Sequence, residues 1–255
     1  MSSRKLIPVV VPLAALVLLV AALVNVGAQP KPGIRIPPGE VVDSPSARSM
    51  NETARRPVPE APALPVAGQG ATLMAFDGSS LDDWQSLTDT NIEWVAEGGR
   101  LQQRLPMSDI PAYEPALFVT RDASLTDGVV EAMVYPTSGS PVGIVLRGGS
   151  EGHYRVVLHA TAPNDKSKAW IERVTGSVSE RIAEAPFTTF AGYNLETWQH
   201  VKVTARGSEI SVAVDGRTIV SATDNKYAAG WVGVWTLADQ GASFDNVRIQ
   251  RGAAR

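Results

Sequence analysis

The chain has no cysteine, which excludes disulfide staples, a lipid-modified N-terminal cysteine, thiolate-bound zinc or iron–sulfur centres and thiol catalysis. No aromatic residue precedes Phe76, and all six Trp, five Tyr and five Phe lie at or after it. A hydrophobic core therefore has to come from the C-terminal part of the 255 residues. Positive charge is thin there: beyond residue 70 there are 16 Lys and Arg against 22 Asp and Glu, whereas the first 70 residues hold seven against four. An acidic body with no basic stripe is a poor match for nucleic acid, whose phosphates dominate affinity. Histidine is scarce as well, with only His153, His159 and His200 available for metal or proton chemistry.

What the N-terminus has instead is a long apolar run. Arg4 and Lys5 precede residues 6–26, an uncharged stretch of 21 in which Asn25 is the one strongly polar member. A helix of that length, at roughly 1.5 Å per residue, spans the ~30 Å hydrocarbon core of a bilayer, and the flanking cations keep its start inside. The expectation is one N-terminal transmembrane helix over residues 6–26, with the bulk of the chain on the periplasmic or extracellular side. Val26-Gly27-Ala28 also reads as a small-residue cleavage site, so residues 1–28 are an anchor or a signal segment. Length favours the retained anchor, because a signal core usually has roughly 7 to 15 apolar residues.

Residues 29–70 contain nine of the 18 prolines and show no sustained period of 2 or 3.6. They read as an extended Pro-rich linker that, at about 3.1 Å per residue, reaches on the order of 100 Å. A passive spacer is the first expectation, and a partner-binding strap is its alternative.

From residue 71 the pattern changes to short alternating or continuous apolar runs broken by Gly, Pro, Asp and Asn. Strands are predicted at 71–76, 92–96, 100–104, 116–120, 128–135, 142–147, 153–160, 168–174, 179–183, 200–206, 209–214, 217–221, 231–236 and 242–250, and residues 251–255 form a tail. Strands this frequent, joined by turns such as Asp215-Gly216, define an all-β fold, a two-sheet antiparallel sandwich over residues 71–250.

The order of several motifs then resembles a known family. Phe76-Asp77-Gly78-Ser79-Ser80-Leu81-Asp82-Asp83-Trp84 comes first, followed by Trp94 with Gly99-Arg100-Leu101, Gly143-Ile144-Val145-Leu146-Arg147 and Tyr154-Arg155-Val156. Trp198 before His200-Val201-Lys202-Val203, Val214-Asp215-Gly216, Gly230-Trp231-Val232-Gly233 and Phe244-Asp245-Asn246-Val247 complete the series. Together they resemble concanavalin A-like, laminin G-like jelly rolls, near the bacterial 3-keto-disaccharide hydrolase-like group. The resemblance implies two curved sheets, one of which often receives sugar on its outer face. It speaks to fold more than to activity.

Catalytic signals are few. A retaining glycosidase on such a sandwich would show closely spaced strand carboxylates, because nucleophile and acid must sit about 5 Å apart; no Glu-x-Asp-x-x-Glu run occurs. Where the ketosugar hydrolase pattern carries an acid after Gly-Ile-x-x-Arg, this chain reads His153-Tyr154-Arg155-Val156-Val157-Leu158-His159. His153 and His159 share strand parity but lie roughly 20 Å apart at about 3.3 Å per residue, too far to ligate one metal. No catalytic residue is therefore assigned. Glu131 and Glu172 are expected on solvated strand faces, and Trp84, Trp94 and Trp198 in the core.

A binding face is easier to compose. Arg147, Arg155, His159, Trp170, Glu172 and Trp235 are the candidate ligand residues, since rings stack on sugar C–H groups and guanidinium forks bond hydroxyls. For Trp170, Trp231 and Trp235, core packing competes with ligand stacking. Asp77 and Asp245, on first and last strands, could contribute to a structural calcium site, against the plainer reading of turn acids; no other cofactor is expected. The sequence thus points to a membrane-anchored, noncatalytic binding or accessory module for carbohydrate or for a protein partner in a membrane assembly. A sugar hydrolase using Arg147, His159 and Glu172 is the alternative.

Overall fold

The structure, a computed structural model, describes residues 58–66, 70–76, 78–88, 93–104, 115–159, 168–185, 194–237 and 242–252. The expected anchor and most of the linker lie outside these residues. All of them belong to one compact unit, Pro57–Arg255.

Among the described residues there are fifteen strands and no helix. One sheet contains β1 (Thr72–Phe76), β3 (Glu93–Glu97), β4 (Arg100–Arg104), β6 (Gly128–Pro136), β11 (Gln199–Arg206), β12 (Glu209–Val214), β13 (Arg217–Thr223) and β15 (Ala242–Arg251). Its order is β13-β12-β11-β6-β15-β4-β3, and β1 also pairs with β15. The second sheet contains β2 (Trp84–Ser86), β5 (Pro115–Thr120), β7 (Val142–Gly149), β8 (Gly152–His159), β9 (Lys168–Thr175), β10 (Val178–Glu184) and β14 (Trp231–Leu237), in the order β10-β9-β8-β7-β14-β5-β2. Every named pairing is antiparallel. The expected two-sheet antiparallel sandwich is what forms; β2, three residues long, is the strand that the sequence did not announce.

Period-two patterning builds the core. On β11, Val201, Val203 and Ala205 point inward and alternate with His200, Lys202 and Thr204, as a half-buried strand requires. Facing residues from the other sheet include Ile144, Leu146, Tyr154, Val156, Leu158, Ile171, Val232 and Val234. One end is filled by rings: Trp84 and Trp94 both stack on Phe118, at 5.6 and 5.2 Å, and Trp94 tilts against Phe244. Asp215 and Gly216, with φ of 49° and 79°, make the two-residue turn whose twist suits the β12–β13 hairpin.

Residues 58–66 do not behave as a passive spacer. They lie on the outer face of the eight-stranded sheet, where Trp198 Nε1 donates to the Pro59 carbonyl at 2.8 Å and Arg248 Nη2 to the Pro65 carbonyl at 2.9 Å. Trp198, expected in the core, is instead half-buried on this outer side, tilted against Tyr135 at 5.3 Å. It shares the parity of His200, Lys202 and Thr204, so the alternation that directs Val201 inward turns it outward.

Candidate functional site

Five of the six expected ligand residues meet on the outer face of the seven-stranded sheet. Strand parity puts them there: Tyr154, Val156 and Leu158 of β8 point into the core, so Arg155, Val157 and His159 point out. The same logic turns Trp170 and Glu172 of β9, and Trp231 and Trp235 of β14, to the outside, while Ile171, Val232 and Val234 turn in. Register then sets the neighbours. Val145, Arg155, Glu172 and Arg181 form one row across β7, β8, β9 and β10, so the row carries charges of alternating sign.

The polar centre is a closed network. Arg155 donates to Glu172 Oε2 from Nε at 2.9 Å and Nη2 at 2.5 Å, while Trp170 Nε1 donates to Oε1 at 2.6 Å. Arg155 and Glu172 are each only 13% exposed. Burial alone would raise the Glu172 carboxyl, but the Trp170 N–H and the Arg155 guanidinium outweigh it and hold the group below its ordinary value. Glu172 is thus an ionised, two-sided acceptor. It is not the solvated carboxylate expected from its isolation in the sequence.

The indole faces are already covered. Arg155 sits 4.5 Å over Trp235 and Arg181 sits 4.4 Å over Trp170, both cation–π distances. Trp235 is 2% exposed and donates from Nε1 to the Val156 carbonyl at 2.8 Å. It can reach that carbonyl because Gly143 lies beneath the indole; a Cβ there would come within 2.1 Å of the Val156 oxygen. Gly148 does the same for Trp231, whose ring occupies the space of the missing side chain. With Val119, Val145 and Val157, these indoles form a small apolar cluster outside the main core. Both earlier expectations for Trp170 and Trp235 therefore change: the rings are packed, but on the outer side of the sheet, and guanidinium groups form the layer above them.

Two histidines flank the network. His159 meets Trp170 edge to face at 6.5 Å, and burial holds it below its ordinary value, which favours the neutral imidazole. His153 packs on Trp231 at 5.3 Å, with burial first and Arg155 second pushing it down to about 4. Arg181, which sequence reasoning overlooked, was accessible through the tight β9–β10 hairpin, since Thr175 pairs with Val178 and the register then brings Arg181 opposite Glu172.

Arg147 does not join this face. At φ 52°, in a stretch where the β7–β8 register shifts, its side chain leaves the row of Val145 and becomes 1% exposed. Nε and Nη2 donate to the Thr126 carbonyl at 2.9 and 2.7 Å, and Nη2 reaches Asp127 Oδ1 at 3.3 Å. Burial lowers its value and Asp127 opposes that shift. Its role is to hold the turn before β6.

Of the expected calcium pair, Asp77 lies outside the described residues. Asp245 Oδ1 accepts the backbone N–H of Asn246 at 2.6 Å; burial raises its carboxyl, against the charge of Arg100. A turn acid explains this environment, and the nearby guanidinium opposes a divalent ion. Among the described residues no cluster of three or more acidic or histidine side chains could hold a metal.

The fold is a concanavalin A-like jelly-roll sandwich. The carbohydrate binding module CBM66 from Bacillus subtilis superposes with a TM-score of 0.51 at 18% identity, over 66% of this chain and 95% of its own. A protein of unknown function with a galectin-like fold from Bacillus subtilis gives 0.56 at 11% identity, over 74% and 99%. The Bacillus licheniformis beta-glucanase gives 0.50 at 12%, over 72% and 100%. No curated protein matches by sequence. Residues 73–250 match the model of the 3-keto-alpha-glucoside-1,2-lyase-like domain, and the chain belongs to that family. It is thus a concanavalin A-like domain near the 3-keto-disaccharide hydrolase group.

Proposed function

We propose that this is a membrane-tethered domain that binds carbohydrate on the outer face of the seven-stranded sheet without cleaving it. The observation that carries the reading is Glu172, whose two oxygens accept three hydrogen bonds and whose carboxyl is held ionised. A general acid must carry its proton near the working pH, and Glu172 is tuned the opposite way. An ionised acceptor between two guanidinium groups suits sugar hydroxyls instead. Because guanidinium covers Trp170 and Trp235, hydroxyl bonding leads recognition and ring stacking is secondary. The tether is the apolar run over residues 6–26, which leaves the domain outside the cytoplasm.

Family membership supports a second reading, cleavage of a 3-keto glycoside. A 1,2-elimination removes the C2 proton, acidified by the neighbouring C3 ketone, and expels the C1 substituent with the electron pair. The neutral imidazole of His159 is the base available for it. Titration of the full-length chain with disaccharides and their 3-keto derivatives, following affinity and turnover with Glu172→Gln and His159→Gln, separates the two. Affinity without turnover, weakened by Glu172→Gln, is expected. Turnover abolished by either substitution overturns the noncatalytic reading; neither affinity nor turnover overturns carbohydrate binding and leaves a protein partner.

A further inference from the structure

The segment 58–66 reads Val-Pro-Glu-Ala-Pro-Ala-Leu-Pro-Val, with prolines at 59, 62 and 65. Polyproline II repeats every three residues and has no internal hydrogen bonds, so every third carbonyl points the same way and awaits a donor. On the eight-stranded sheet those carbonyls find donors in step. Pro59 accepts from Trp198 Nε1 at 2.8 Å, Pro62 from Asn246 Nδ2 at 3.3 Å and Pro65 from Arg248 Nη2 at 2.9 Å. Side chains follow the same period: Val58, Ala61 and Leu64 are half-buried, while Pro59, Glu60, Pro62, Ala63, Pro65 and Val66 are exposed. Arg100 Nη1 adds a bond to the Val58 carbonyl at 2.5 Å.

The receptor side is built for this. A register shift in β15 between Asp245 and Arg248, with Asn246 at φ 50°, aims the Asn246 amide outward as bulges do. Arg248 is fixed by Glu131 Oε2, through Nε at 3.1 Å and Nη2 at 2.5 Å, before it meets the strap. Trp198 is braced by Tyr135. Beside the strap a cleft of about 760 Å³ continues over Lys202, Thr204, Ser211, Ala213 and Thr218, so the groove is wider than its occupant.

We propose that the outer face of the eight-stranded sheet is a recognition groove for a proline-rich, polyproline II segment with three-residue spacing, and that residues 58–66 are its resident ligand in cis. The strap blocks the groove against the same kind of segment from another molecule, because a short tether gives it an effective concentration in the millimolar range. Recognition by indole and guanidinium donors to strap carbonyls is the chemistry of polyproline-reading modules.

The test uses the full-length chain, wild type and with Pro59, Pro62 and Pro65 all changed to Gly, which keeps the carbonyls but removes the preset backbone. Each is titrated with a labelled peptide of sequence 56–67 by fluorescence anisotropy, and exchange of the Trp198 indole N–H is followed by NMR. The triple variant should bind the peptide at least tenfold more tightly than wild type, and its Trp198 indole should exchange at least tenfold faster until peptide is added. A peptide of the same composition with the proline spacing scrambled should not bind. Equal affinities, equal exchange rates, or binding of the scrambled peptide overturns the proposal. If the triple variant does not fold, wild type decides alone: an indole N–H on Trp198 that exchanges as fast as that of a free peptide refutes strap capture.

Discussion

Changing Glu172 to Gln interrogates the centre of the candidate site. The carboxylate accepts three hydrogen bonds, two from Arg155 and one from Trp170. A Gln side chain can keep its oxygen on the Trp170 N–H but then turns an amide donor toward the Arg155 donors. Fully buried ion pairs cost about 3–5 kcal/mol when one partner is removed, while exposed pairs are worth about 0–1. At 13% exposure of both side chains, some screening remains, and a loss of about 2–3 kcal/mol is expected. For a domain of this size that lowers Tm by roughly 5–10 °C.

Calorimetry of wild type, Glu172→Gln, Arg155→Met and the double variant closes the cycle, in which coupling of about 1–3 kcal/mol is expected. The pH dependence supplies an independent sign. A carboxyl held below its unfolded value stabilises the fold above that unfolded value, and the contribution disappears as pH falls through the folded one. Glu172→Gln should therefore lose most at neutral pH and flatten the acid limb below the ordinary glutamate range. Additive single effects, or a Tm within about 2 °C of wild type, would refute a mostly desolvated pair.

Two further outcomes follow from the same face and its surroundings. Arg147→Lys keeps the charge but loses the fork on the Thr126 carbonyl, so chemical denaturation should show a loss of about 2–4 kcal/mol with sugar affinity unchanged; reduced affinity at intact stability would place Arg147 in the ligand site. His153, pushed down to about 4 when folded, binds its proton more readily in the unfolded chain. Stability should fall by about 2 kcal/mol between pH 7.5 and pH 5 through this group, and His153→Gln should remove that part of the slope. An unchanged slope would mean that other groups govern it.

Alternation made the sandwich legible, because Val201, Val203 and Ala205, or Tyr154, Val156 and Leu158, each announce one inward face. Strand β2 escaped because its three residues, Trp84–Ser86, are too few to alternate and are held by pairing with β5. Parity also predicted which residues of one strand share a face, as Trp170 does with Glu172 and Trp231 with Trp235. It could not supply the partner across strands. Glu131 and Glu172 looked solitary in sequence, yet register sets them against Arg248 and Arg155. Arg147 misled for a different reason: its left-handed backbone at a register shift breaks the alternation on which the inference depended.

The strap imposes a frame on the chain that precedes the sandwich. Its donors on Trp198, Asn246 and Arg248 are spaced for carbonyls three residues apart, and a polyproline II helix turns by about 120° per residue. Deleting Ala61 alone would set the Val58 carbonyl at the Trp198 donor and turn the Glu60 side chain into the half-buried position of Ala61, while Pro62 and Pro65 stayed in place. Removing Glu60, Ala61 and Pro62 together would instead bring Pro59 to the Asn246 donor and an apolar side chain, Val58, to the half-buried position of Ala61. Length variation in this segment is thus quantised in threes, as it is in a codon, although the unit here is a turn of backbone. Thermal melts of the one-residue and three-residue deletions would show it as a larger loss for the shorter deletion.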